Sequence, residues 1–188
     1  MKTILRIFCL IPLFVRPAQG LEKQPYKTIS SKSIKNLDES LQKAENTLGF
    51  PVLFPTFIPD DRELYAHTAS TGGLTIISFS LDETCHGVKA CTLGSLNIWL
   101  YGHSETRKDI SGKSITEVVN LSDNTKGYYT PGHSMADYWP PSLQWSKKKD
   151  VLHYDLWWAG MDEATSRRVL IDMANSAILL DPQKKPAY

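Results

Sequence analysis

The chain of 188 residues contains no excess of charge of either sign, no internal repeat and no low-complexity tract. Lysine and arginine number 21 against 20 acidic residues, and the arginines do not cluster with aromatic residues. Nucleic-acid binding depends on a concentrated basic surface. We therefore predict no nucleic-acid partner. The length suits a single globular domain with a substantial core.

The sequence also lacks the patterns that catalysis and metal binding require. Its five histidines occur one per segment, with no HExxH or comparable motif: His67, His86, His103, His133 and His153. Residues 132–136 (GHSMA) resemble a nucleophile elbow around Ser134, but that motif needs a preceding strand and a following helix, and prolines flank it here. His153 and Asp155 are interpreted as surface polar residues of a strand. We predict no catalytic residue, no metal site and no cofactor.

The N-terminus has the pattern of a secretory signal peptide, predicted to be residues 1–20. Residues 7–15 form an apolar run that is shorter than the roughly 20 residues a membrane span needs. Small residues at Ala18 and Gly20 suit signal peptidase, and an uncleaved anchor is the alternative. Cleavage removes three basic residues, so the net charge changes from +1 to −2. We expect a periplasmic or secreted protein with no membrane-spanning segment after cleavage.

Only three cysteines are present, and Cys9 lies in the predicted signal peptide. Cys85 and Cys91 flank a short loop, which in an exported protein favours a disulfide bond. A reduced pair and a metal site are the alternatives. Zinc needs four ligands, and only His86 is local. We predict the disulfide.

The last third of the chain carries the clearest structural pattern. Along residues 151–158 one alternating set is apolar throughout and the other contains His153 and Asp155, which predicts a strand that pairs with residues 142–146 in a hairpin. Asp162 is the predicted N-cap of a following helix. The apolar face of that helix recurs at i, i+3, i+4 and i+7: Leu170, Met173, Ala174 and Ala177.

Earlier in the chain, residues 21–32 are predicted to be a flexible lead-in, and a helical pattern runs from Ser33 to a stop at Gly49. Residues 50–61 carry a proline every fourth residue, which predicts a buried extended segment; a proline-rich partner ligand is the alternative. Five further strands are predicted at 64–69, 74–81, 96–101, 115–121 and 126–130. We therefore predict one α+β domain over residues 33–181, with a tail at 182–188. Its antiparallel sheet should have about six to eight strands, with an N-terminal helix and a C-terminal helix packed on it.

Several short motifs occur in a recognisable order: residues 49–55 (GFPVLFP), Gly127-Tyr128, 143–145 (LQW), 154–156 (YDL) and 171–178 (IDMANSAI). In this order the chain resembles an uncharacterised bacterial extracytoplasmic domain family. That domain also forms the C-terminal end of some anti-sigma-factor-like and lipoprotein-carrier-like proteins. The resemblance implies an α+β fold and a location outside the cytoplasm, and it transfers no catalytic residues.

Aromatic residues suggest where a ligand would bind. If Leu96 and Ile98 face the core, Trp99 and Tyr101 face the opposite side of the sheet, as Trp157 does on its own strand. Such residues indicate a binding face, or they pack under the N-terminal helix. We expect an exported, non-catalytic binding domain whose partner is a protein or an apolar ligand of the cell envelope. The alternatives are a carrier of an apolar or lipid ligand and, least favoured, a small secreted hydrolase.

Overall fold

A computed structural model describes residues 27–85, 89–101, 106–108, 111–133, 139–147 and 151–180. It has an antiparallel sheet of seven strands and two α-helices, which confirms the predicted α+β class. In chain order the elements are β1 (Ile29–Ser30), α1 (Leu37–Leu48), β2 (Phe57–Ile58), β3 (Tyr65–Thr71), β4 (Leu74–Ser80), β5 (Thr92–Leu100), β6 (Glu117–Asn120), β7 (Lys126–Thr130), β8 (Ser142–Lys147), β9 (Leu152–Trp158) and α2 (Glu163–Leu179).

The large sheet has the strand order β3-β4-β5-β9-β8-β7-β6, so two meanders of consecutive strands join where β5 pairs with β9. One side of this sheet, called the inner face, carries the apolar half of each alternating pattern. Its centre is a row of residues in register across four strands, all fully buried: Ile77, Leu96, Leu156 and Leu143. The predicted terminal hairpin is confirmed as β8 and β9.

Helix α2 covers the inner face as its sequence pattern predicted. The side chain of Asp162 accepts a hydrogen bond from the amide of Thr165 at 3.0 Å, which is the predicted N-cap. The four residues of the apolar stripe are buried. Tyr129, on the inner face of β7, donates its hydroxyl to the carbonyl oxygen of Glu163 at 3.4 Å. The N-terminal end of α2 is therefore tied to this face.

Helix α1 begins four residues later than the apolar spacing predicted, at Leu37 rather than Ser33. The backbone of Lys35 is already used by β3, since its amide donates to the carbonyl of Leu64 at 2.8 Å and its carbonyl accepts from the amide of Ala66 at 2.9 Å. Asn36 then adopts a left-handed conformation with φ of 59°, which separates this bridge from the helix. The predicted stop at Gly49 is confirmed, with φ of 73°.

Helix α1 lies beside the open edge of β3 and supplies side-chain partners for it. The hydroxyl of Ser40 donates to the carbonyl of Ala66 at 3.1 Å, and the ammonium of Lys43 donates to the carbonyl of Thr68 at 3.1 Å. An edge strand with free backbone groups is a template for pairing with other chains. These contacts block part of that edge.

The proline-rich segment is extended and partly buried, as predicted. Its Val52 and Leu53 are in the core, and the amide of Leu53 donates to the hydroxyl of Tyr154 at 3.4 Å. Its strand β2 pairs with β1, which comes from the end of the segment predicted to be a flexible lead-in. That end therefore belongs to the folded domain.

The connection from β4 to β5 contains two short 3-10 turns, Glu83–Cys85 and Lys89–Cys91, whose ends are joined by the predicted disulfide. The two Cα atoms are 6.1 Å apart. Strand β5 starts directly after the second cysteine, four residues earlier than the sequence predicted. Among the described residues, neither helix combines the length and apolar character needed to cross a bilayer.

Candidate functional site

The side of the sheet opposite Leu96 and Tyr154, called the outer face, has a polar centre. Register places two rows of residues there, one of Ser78, Ser95, Trp157, Ser142 and Thr130, the other of Ile76, Asn97, Asp155 and Gln144. The serines and the threonine of the first row are at most 5% exposed. On a sheet face open to solvent, such small side chains would be exposed to water. Other parts of the chain must therefore cover this row.

Part of the cover comes from the segment around Arg107. Its amide donates to the hydroxyl of Thr116 at 3.0 Å, which in turn bonds the hydroxyl of Thr130 on β7 at 3.0 Å. The guanidinium carbon of Arg107 lies 5.1 Å from the centre of the Trp139 ring, a cation–π distance. Trp139 stacks on His133 with 4.7 Å between ring centres. This stack holds the Arg107 segment beside the residues that precede β8.

A cavity of about 370 Å³ lies between this cover and the sheet. Its lining combines one cation, one carboxylate, several hydroxyl and amide groups and apolar walls: Thr92, Asn97, Arg107, Pro140, Ser142, Asp155, Trp157 and Ala159. Sites for small molecules usually measure about 300–1,000 Å³ and place a few polar groups among apolar ones. The outer-face cavity has the size and composition of such a site.

The carboxylate in the cavity is held by a chain of hydrogen bonds. The hydroxyl of Ser95 donates to the side-chain oxygen of Asn97 at 3.0 Å, and the amide nitrogen of Asn97 lies 3.5 Å from Oδ2 of Asp155. This orients the amide so that its donor faces the carboxylate. Asp155 and His153 are each only 8% exposed. Their interpretation as surface polar residues is wrong, because other parts of the chain cover the outer face at β9.

Two polar groups of the cavity have no protein partner among the described residues. The hydroxyl oxygen of Ser142 is buried and makes no hydrogen bond there, although the residue is only 3% exposed. The guanidinium of Arg107, which is half-buried, lies over the Trp139 ring and makes no hydrogen bond or ion pair with any described residue. For the Ser142 hydroxyl, a buried polar group without a partner costs about 1–3 kcal/mol.

The three aromatic residues predicted to form a binding face do not lie together. Trp157 lines the cavity and is half-buried. Trp99 is on the outer face but pairs with His153, four residues along β5 from the partner of Trp157, which is about 13 Å at strand spacing. Tyr101 follows β5, is 76% exposed and has φ of 59°. The alternative was that these aromatic residues pack under the N-terminal helix. Helix α1 mainly contacts β3 and β4, whereas Trp157 lies on β9, so the alternative does not describe Trp157.

Sequence reasoning missed the polar half of the site. Arg107 lies in a stretch with no periodic pattern, and Ser142 is one serine among many. Asp155 was visible as a polar residue on the outward side of β9, and an acidic residue in the central strand of a sheet is a usable signal. Ser134, the serine of the motif that resembles a nucleophile elbow, lies outside the described residues.

Among the described residues, two serine hydroxyls lie within hydrogen-bond distance of a histidine ring, as a nucleophile and its base would. The hydroxyl of Ser80 is 3.0 Å from Nε2 of His67, but it also lies 2.7 Å from the carbonyl of Asp82, to which it donates. A nucleophile must instead give its proton to the base. The hydroxyl of Ser146 is 2.9 Å from Nδ1 of His153, its neighbour across the β8–β9 pair on the outer face.

A second cavity of about 320 Å³ lies where α1 meets β3 and β4. Two of its polar side chains, Ser40 and Lys43, already donate to backbone carbonyls of β3. It therefore presents fewer free groups to a ligand than the outer-face cavity. The described residues contain no group of three or more His, Cys, Asp and Glu side chains placed to hold a metal ion.

In the comparisons with known proteins, no family model, no curated protein and no solved structure matches this chain. The resemblance to the extracytoplasmic domain family stays a prediction.

Proposed function

We propose that this protein is an exported, non-catalytic binding domain that holds a small ligand in the outer-face cavity. The observation that carries this proposal is the cavity of about 370 Å³, whose lining places one cation, one carboxylate and several hydroxyl and amide groups among apolar walls. A few polar groups among apolar ones are typical of sites that bind small molecules.

Export is supported by the pattern of residues 1–20 and by the disulfide between Cys85 and Cys91. Disulfides persist in oxidising compartments and are rare in the reducing cytosol. The expected mature N-terminus is Leu21. Sequencing the N-terminus of protein expressed in a bacterial host with a secretory pathway tests this, and an intact Met1 on a cytosolic product would refute the location.

Membership of the extracytoplasmic domain family is proposed on the roles of the motif residues. Leu143 and Trp145 are fully buried on the inner face. A Cβ at Gly127 would lie 2.9 Å from a methyl of Leu121, so a larger residue would crowd the core. These motif residues serve packing. Members of a family that share a fold but no catalytic residues would have packing residues in common.

Ligand binding is tested by native mass spectrometry of the protein purified without denaturation, beside variants of two tryptophans on the same face. Trp157 lines the cavity and Trp99 does not, and both are half-buried. We expect the purified protein to carry a bound small molecule that Trp157→Ala loses and Trp99→Ala keeps. Loss in neither variant, or in both equally, would contradict the assignment of the cavity.

The same measurement tests the lipid-carrier alternative, and an activity assay tests the hydrolase alternative. A lipid carrier would retain a species with the mass of a lipid, and the charged groups of the cavity argue against one. A hydrolase would turn over a substrate, and Ser134→Ala would abolish that turnover in a folded protein. We expect Ser134→Ala to bind as the unaltered protein does.

A further inference from the structure

The two charged residues that line the outer-face cavity in the described part of the chain differ in how far a ligand can reach them. Asp155 is 8% exposed, its Oδ1 is out of contact with solvent, and its Oδ2 lies 3.5 Å from the side-chain nitrogen of Asn97. Arg107 is half-buried. The guanidinium of Arg107 is therefore the charged group that the described lining presents to a ligand.

The guanidinium of Arg107 has no counterion among the described residues. The backbone of Arg107 is fixed on both sides, because its amide donates to the hydroxyl of Thr116 at 3.0 Å and its carbonyl accepts from the amide of Ile115 at 2.9 Å. The guanidinium carbon lies 5.1 Å from the centre of the Trp139 ring. A cation–π contact provides no hydrogen-bond acceptor for the five N–H donors of a guanidinium. A carboxylate would accept two of these donors side by side.

Apolar residues form much of the remaining lining. Trp157, Pro140 and Ala159 line the cavity, and each is partly exposed. A compact apolar body would pack against them, and an aromatic ring would add a favourable contact with the indole of Trp157. The volume of about 370 Å³ is at the lower end of the range for small-molecule sites. The ligand should therefore be small.

These features exclude several other classes of ligand. A cation would meet the unpaired charge of Arg107. An inorganic anion would use the guanidinium and leave the apolar lining in water, and a neutral apolar molecule would cover the N–H donors without supplying an acceptor. The carboxylate of Asp155 contributes a negative field to the same cavity, which disfavours a dianion such as a phosphate monoester more than a single negative charge.

We infer that the outer-face cavity binds a small monocarboxylate with a compact apolar body. Its carboxylate bonds the guanidinium of Arg107, and its apolar body packs against Trp157. This inference rests on the proposed function, because it names the ligand class of the same cavity.

The test is isothermal titration calorimetry of the mature protein with 3-phenylpropionate and two analogues. In 3-phenylpropionamide a neutral amide replaces the carboxylate with almost no change of shape, and acetate keeps the carboxylate but lacks the apolar body. Hydrogen bonds to charged groups are worth about tenfold or more in affinity. We expect each analogue to bind at least about tenfold more weakly than 3-phenylpropionate. This comparison uses the unaltered protein, so it does not depend on whether a variant folds.

Variants assign the two contacts. Arg107→Gln should weaken 3-phenylpropionate at least about tenfold and leave 3-phenylpropionamide unchanged, because the amide has no charge to lose. Lys108→Gln is the matched control, since Lys108 is exposed beside Arg107 and does not line the cavity. Trp157→Ala should weaken both probes at least about twofold, and Trp99→Ala should weaken neither. Circular dichroism establishes that each variant is folded.

The outcomes separate this inference from the proposed function. Equal binding of 3-phenylpropionate and its amide, or equal effects of Arg107→Gln and Lys108→Gln, would overturn the carboxylate and leave a binding domain. Acetate that binds as tightly as 3-phenylpropionate would overturn the apolar body. No binding of any of the three probes, with a Trp157-dependent ligand seen by native mass spectrometry, would also overturn only the ligand class. If neither experiment finds a ligand, both proposals fail.

Discussion

Replacement of Gly94 by alanine is expected to destabilise the protein strongly, although alanine is normally at least as good as glycine in a strand. A Cβ at this position would lie 2.1 Å from Cε3 and 2.7 Å from Cζ3 of Trp158, and 2.8 Å from the carbonyl oxygen of Trp157. Carbon atoms in contact are ordinarily about 3.5–4.0 Å apart. The tryptophan ring would have to move by more than an ångström.

That movement has little room. Trp158 is 2% exposed, and its ring centre lies 5.7 Å from that of Phe79, itself fully buried. Overpacking a core usually costs about 1–3 kcal/mol. Because a backbone oxygen is also in the way, we expect the upper end, about 3 kcal/mol. For a chain of this length that lowers the melting temperature by about 6–12 °C.

Urea unfolding followed by tryptophan fluorescence measures the loss, and a double-mutant cycle identifies its cause. In a Trp158→Phe background the smaller ring leaves space, so Gly94→Ala should cost at least about 1 kcal/mol less than in the unaltered protein. Gly73→Ala is a control in open space, where only a φ of 86° opposes the substitution; it should cost about 1 kcal/mol. A Gly94→Ala penalty below that control, or unchanged beside Trp158→Phe, would refute the clash.

Three further results are expected. Trp145 is 1% exposed, so Trp145→Ala should lower the free energy of unfolding by about 3–5 kcal/mol; a loss under 1 kcal/mol in urea would contradict its burial. Reducing the Cys85–Cys91 bond should lower the free energy of unfolding by about 2 kcal/mol and the melting temperature, measured by calorimetry, by about 4–8 °C, without unfolding the protein at room temperature. Two freely alkylatable thiols in unreduced, exported protein would contradict the disulfide. The hydrogen bond from Arg167 lowers the pKa of Glu117, so the stability it provides is present above the unfolded pKa and is lost as pH falls through the folded pKa. Glu117→Gln should therefore remove about 0.2–1 kcal/mol near pH 7 and nothing near pH 2; an equal effect at both would contradict the ion pair.

The local elements of this protein were predictable from the sequence because each rests on a short-range physical rule. Alternation along β9 follows from the two-residue period of a strand, and the buried stripe of α2 follows from the helical period. Asp162 and Gly49 mark helix ends because capping depends on one or two residues. The disulfide was predicted from two nearby cysteines in a chain with a predicted export signal.

The start of α1 was not predictable in this way. The apolar spacing continues back to Ile34, and Ile34 is indeed buried although it lies before the helix. The backbone of Lys35 bonds to β3, which follows almost thirty residues later in the chain. Tertiary pairing overrides local propensity, because two backbone hydrogen bonds to a strand outweigh one more helical turn.

The outer-face cavity depends on the tertiary structure alone. Arg107, Ser142 and Asp155 belong to separate segments, and no local rule relates their positions. The register of β8 against β9 places Ser142 opposite Trp157, and the register of β9 against β5 places Asp155 opposite Asn97. Register reflects the packing of the whole inner face, because a slip of one residue would turn every buried side chain to the other side. The sequence by itself therefore determined which segments form strands and helices, whereas the pairing of those strands determined that the outer face has a cavity at all.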